Sequence, residues 1–147
     1  MIQYEIKICF IVLNFGFMPI YVGMRASRPT DISGKIMNKL LIVWSSGEIE
    51  VAKKLILLYG SVMLPRNYWD EAHIMVWGPS AKLLAESEEL QIMVKKVQET
   101  GVSFSSCVVC SDEYGVTEKL ASLGIEMTHT GERLTESLQS DWKVLTF

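Results

Sequence analysis

The chain has 147 residues, enough for one domain and not comfortably for two. Apolar residues make up 49% and charged residues 21%, the balance of a folded soluble protein and not of a disordered one. The formal net charge is -3 with both signs interspersed, so neither a basic nucleic-acid patch nor a like-charged tail is present.

The first segment is the odd one. Residues 8–24, ICFIVLNFGFMPIYVGM, are strongly apolar and lead into a polar break and then Met37. A signal peptide needs a positive start and small residues before cleavage, whereas Glu5 and Lys7 open this one and Met24-Arg25-Ala26 is a poor cleavage site. A membrane anchor needs roughly 20 apolar residues. This run is shorter and contains Asn14, Gly16 and Pro19. The segment after Met37 is self-sufficient, which favours reading residues 1–36 as a dispensable extension or upstream sequence, and 37–147 as the domain.

KLLIVW, Lys39–Trp44, is an apolar run without helical period and reads as a buried strand. Residues 47–60 read as a helix. Ser45 or Ser46 is expected to cap it, Ala52, Leu55, Ile56 and Tyr59 to form its inner face, and Gly60 to stop it. AHIMVWG, Ala72–Gly78, is a second strand. Pro79-Ser80 opens one long helix that Gly101 ends, with Leu83, Leu84, Leu90, Met93, Val94 and Val97 inward. VSFSSCV, Val102–Val108, is a third strand, followed by a short helical segment over Val108–Tyr114. Val116–Gly124 is a short helix, Ile125–His129 a fourth strand, residues 132–139 a last helix and Lys143–Phe147 a fifth strand.

Apolar strands alternating with helices predict an α/β fold: a parallel sheet covered on both faces. Ligand sites then form where the strands end, all on one edge. The residues there are Trp44, Ser45 and Ser46; Trp77, Gly78 and Ser80; Cys107 and Cys110; and His129 and Thr130. Ser45, Ser46, Trp77, Gly78, Ser80 and His129 are the expected lining of an edge pocket for a small anionic or planar ligand. Simple core packing is the plainer role for both tryptophans.

Cys107 and Cys110 carry the chemistry. Three cysteines in all, two of them this close, suit a reducing compartment and no disulfide framework, which predicts a cytoplasmic protein. A structural zinc site wants four ligands. One pair with two remote histidines does not supply them, and no metal or cofactor is expected. His73, near the start of strand two, reads as an edge or interface residue, and His129 as a polar lining residue that can assist proton transfer. A thioredoxin-like pair would come early in a βαβ unit, whereas this one follows the third strand. Burial as two small hydrophobes is the bland alternative. A thiolate at Cys107 has a physical basis if the cysteine starts a helix, because unpaired backbone N–H groups there can lower a cysteine from ~8.5 toward neutrality. Asp112 and Glu113 work against it.

The segment Met37–Phe147 resembles the DsrE/DsrF-like family, which includes the TusD-type sulfur relay subunits. The resemblance rests on LLIVWSSGE, on VWGPSAKLL, and on a cysteine at the end of strand three with Gly115-Val116 eight positions later. The LGIEM turn and the closing GERLTESL and KVLTF add to it. It implies a three-layer α/β/α fold on a five-stranded parallel sheet, assembly into homo-trimers or hexamers, and a persulfide carried on Cys107 between donor and acceptor proteins, with no membrane partner for the domain. Cys110 lies outside the relay pattern, and Asp112 and Glu113 stand where the relay subunits have arginines. Cys110 can then act as a resolving thiol. A homo-oligomeric binding module with structural cysteines is the alternative function.

Overall fold

A computed structural model describes residues 37–147, and the readings made for residues 1–36 lie outside it. β1 (Lys39–Trp44) leads into one helical stretch built from α1 (Ile49–Val51), a π-helical run over Ala52–Leu57, and α2 (Leu58–Met63). β2 (Glu71–Val76) is followed by α3 (Pro79–Glu86) and α4 (Glu88–Glu99). β3 (Ser103–Cys107), α5 (Val108–Glu113), α6 (Thr117–Ala121), β4 (Glu126–Thr128), α7 (Thr130–Gln139) and β5 (Trp142–Thr146) complete the order. Among these helices none is long and apolar enough to cross a membrane.

The five strands form one sheet in the order β4-β3-β2-β1-β5, and every pair is parallel. This is the expected α/β fold. Alternation along the strands sends side chains to two faces. Leu40, Ile42, Trp44, Ile74, Val76 and Phe104 pack under the helices that connect β1 through β4. Leu41, Val43 and Met75 point the other way, toward Leu134 of α7 and toward Trp142 and Val144 of β5. The chain steps in one direction from β1 to β4 and returns through α7 to β5 at the opposite edge. Right-handed crossovers then place the first helices on one face and α7 on the other, giving three layers.

Four local expectations are corrected. Gly60 does not end a helix; it is buried inside α2, where an added Cβ would come within 3.1 Å of Val97 and 3.2 Å of Ile74. The missing side chain is what lets α2 approach α4 and the sheet. The wider π turn buries Ala52, Ile56 and Leu57 together and turns Leu55 out to solvent. The single long helix is two, because Ser87 takes extended backbone and its hydroxyl accepts the Leu90 N–H at 3.3 Å. The buried Gln91 amide then donates to the α3 carbonyls of Leu84 and Ala85 at 3.0 and 2.9 Å, so the break leaves them satisfied. Finally, His73 is no edge residue. It is 1% exposed, and its two ring nitrogens meet the Ser103 and Ser105 hydroxyls at 2.7 Å each.

Candidate functional site

The parallel register fixes what sits beside Cys107. Trp44 pairs with Val76, Val76 with Ser106, and Cys107 with Thr128, so the ends of β1 to β4 form one stepped edge. Ser103, Ser105 and Cys107 alternate onto the face that carries His73 and α7. Cys107 ends β3 and is also the N-cap of α5, with φ -66° and ψ 112°. Its Sγ accepts the Cys110 N–H at 3.5 Å, so the sulfur does the work a serine oxygen does at other helix starts. The Ser111 hydroxyl donates back to the Cys107 carbonyl and ties the first turn down. Gly115, at φ 67°, then takes the left-handed turn that releases the chain toward α6.

Two further helix starts reach the thiols. Gly78, at φ 70°, is the N-cap of α3, and its N–H lies against the Cys110 sulfur. Thr130 is the first residue of α7 and is 1% exposed. Its hydroxyl has no hydrogen-bond partner of ordinary length among the described residues, yet it stands close enough to Cys107 to favour a negative sulfur there. The edge is thus built from the starts of α3, α5 and α7.

The two thiols are driven in opposite directions. Burial pushes Cys107 up, but the Cys110 N–H, the Thr130 hydroxyl, the Cys110 thiol and the Val109 N–H together outweigh it and leave Cys107 below the usual thiol range. Burial also pushes Cys110 up. Its hydrogen bond to Cys107, the Cys107 charge and Glu113 add to that, and the Gly78 N–H only partly offsets them, so Cys110 stays above the usual range. Cys107 is thus the more acidic thiol of the pair. Cys107 is 6% exposed, and Cys110 is half-buried.

The expected pocket residues are occupied differently. The Ser45 hydroxyl donates to the Phe147 carbonyl at 2.7 Å, and the Ser45 and Ser46 N–H groups donate to the same oxygen at 2.9 and 3.0 Å. Ser46 Oγ accepts the Glu48 N–H at 3.1 Å; the α1 N-cap itself is Glu48. Ser80 is fully buried; its Oγ donates to the Trp44 carbonyl at 2.5 Å and accepts the Trp77 N–H at 3.0 Å, joining the ends of β1 and β2. Trp44 is buried, and its indole N–H donates to the Ser46 carbonyl. Trp77 is half-buried against Leu41, Val43 and Met75. His129 is exposed at the N-cap of α7, one residue from Thr130. Gly78 alone of the six lies against a thiol. A groove of about 580 Å³ lies elsewhere, lined by Lys54, Leu55, Leu58, Tyr59, Arg66 and Leu145 among others.

Thr130 is the partner that sequence reasoning placed on the edge without giving it a role. Consecutive parallel strands are usually neighbours. β4 therefore belongs beside β3, and the residue just past β4 beside Cys107. No group of three or more metal-ligating side chains gathers among the described residues.

Two solved structures are similar to this chain. One is a conserved protein of unknown function from Bacteroides thetaiotaomicron, 27% identical, with a TM-score of 0.72 over 75% of this chain and 95% of that one. The other is the YchN protein from E. coli, 21% identical, with a TM-score of 0.57 over 76% of this chain and 100% of that one. Protein-family models and curated proteins give no match. The structural likeness shows the YchN-like α/β fold on a five-stranded parallel sheet.

Proposed function

We propose that this chain accepts a sulfane sulfur on Cys107 as a persulfide and passes it to an acceptor protein, as the DsrE/DsrF-like relay subunits do. The observation that carries this reading is the Cys107 sulfur at the start of α5. It accepts the Cys110 N–H and sits beside the buried Thr130 hydroxyl, an arrangement that favours the thiolate despite burial. A thiolate is the species that takes up sulfane sulfur. The YchN-like fold supports the relay reading at the level of architecture. The protein acts in the reducing cytoplasm, as a homo-trimer or hexamer, with a donor and an acceptor protein docking in turn.

The test is intact-mass analysis after incubation with a persulfide donor. The Cys110→Ser protein is expected to gain one sulfur atom, and the Cys107→Ser protein none. Equal gain on both variants, or on neither, removes Cys107 as the acceptor.

A second reading is favoured by the 6% exposure of Cys107. In it the cysteines are structural, and the chain is a homo-oligomeric binding module. The groove beside Lys54 and Arg66 would then hold a ligand with apolar and anionic parts. An unchanged mass in every variant, with a ligand-dependent rise in melting temperature, selects it.

A further inference from the structure

The second thiol has no place in simple carriage, and its geometry assigns it one. We propose that Cys110 discharges Cys107: it attacks the inner sulfur of the Cys107 persulfide, releases hydrosulfide, and leaves a Cys107–Cys110 disulfide for an external dithiol to reduce. This rests on the persulfide reading of Cys107 and extends it from a carrier to a sulfide-releasing site.

The step balances without an outside oxidant. The bond formed joins the two cysteine sulfurs, and the bond broken is the one between Cys107 Sγ and the outer sulfur. The outer sulfur leaves with that bond's electron pair, takes the proton from Cys110 and departs as hydrosulfide. The sulfane sulfur is reduced to sulfide and the two thiols are oxidised to a disulfide. Turnover needs a dithiol reductant, which the half-buried Cys110 side of the pair can meet.

Three observations carry it. A spacing of three across the first turn of α5 sets the side chains on one face, and the Cys107 sulfur accepts the Cys110 N–H at 3.5 Å, which holds the two residues together. Gly78 is the N-cap of the eight-residue α3, and its backbone favours a negative sulfur at Cys110, the attacking residue. The buried, unpartnered Thr130 hydroxyl at the start of α7 stands beside Cys107, where a departing anionic sulfur needs a donor.

The full-length reduced protein is incubated with one equivalent of cysteine persulfide. Free sulfide and the non-reduced intact mass are then followed in the native protein and in Cys110→Ser, Cys110→Ala and Cys107→Ser variants. The expected result is sulfide release by the native protein with loss of two hydrogens, and at least about tenfold slower release by both Cys110 variants, which keep the added sulfur. Cys107→Ser sets the background. If the native protein keeps its added sulfur as long as the Cys110 variants do, the discharge step is overturned while the carrier reading stands. If no protein gains sulfur and no disulfide forms, the persulfide reading itself fails.

Discussion

Thr130 is the residue whose removal separates chemistry from stability. Its hydroxyl is buried without an ordinary partner and stands where it favours a negative sulfur on Cys107. Thr130→Val keeps the shape and deletes the hydroxyl. We expect alkylation of Cys107 at pH 7 to slow roughly three- to tenfold, with the folding stability unchanged or higher. Iodoacetamide kinetics against pH and a urea titration on the same variant measure the two; slower alkylation accompanied by lost stability would mean a packing role only. His73 makes a separate prediction. Burial, with the Arg133 charge adding to it, pushes this imidazole down to about 3, between the Ser103 and Ser105 hydroxyls. The unfolded ring titrates near ~6.5. Between those values the unfolded chain binds the proton and the folded one does not. The His73 contribution is therefore complete above about pH 6.5 and is lost as pH falls toward 3. From pH 7 to pH 5 the loss is about 2 kcal/mol. Urea midpoints at both values should fall less for His73→Gln than for the native protein, and parallel falls would exclude the histidine as the cause. Cys107 and Cys110 were legible because their spacing is local. The burial of His73 was not, because its partners lie on β3, thirty residues later in the chain.

Ser87 and Gly60 show the same divide at the scale of elements. The apolar run KLLIVW announced β1 without help, since a strand buried on both faces needs no period, and KVLTF located β5 to within one residue although that edge strand is only partly covered. The break between α3 and α4 was also written locally, in a serine followed by Glu88 and Glu89, but the unbroken apolar spacing across it masked the signal. Ser87→Ala should cost about 1 kcal/mol through loss of the bond to the Leu90 N–H. Gly60 could not be read locally at all. A glycine near the end of a periodic run is usually a stop, and only the packing of Val97 and Ile74 against it shows otherwise. Gly60→Val should therefore cost about 1–3 kcal/mol by crowding α2 away from α4. A variant as stable as the native protein in thermal denaturation would mean that the helix shifts freely, against the tight contact with Val97 and Ile74.

For the whole molecule, the question is where the domain begins. Residues 37–147 already contain five paired strands, helices from every crossover and an apolar core that runs through β1, β2 and β3 into the helices that cover them. Leu41, Ile42, Trp44, Ile74, Met75 and Leu84 are all fully buried, and the strand that opens this set starts two residues after Met37. The ends of β1, β2 and β5 are tied together, by the Trp77 N–H on the Trp44 carbonyl and by the Phe147 carbonyl held by the Ser45 and Ser46 N–H groups. Stability comes from area removed from water, and the area these residues bury is assembled within the segment. We expect a protein beginning at Met37 to melt within a few degrees of the full chain. For a domain of this size about 1 kcal/mol moves the midpoint by about 4 °C. Paired thermal melts with Cys107 alkylation as a second readout decide the matter. A drop beyond about 8 °C, or a changed Cys107 rate, would place residues 1–36 in the core or over the thiol pair and move the domain boundary upstream.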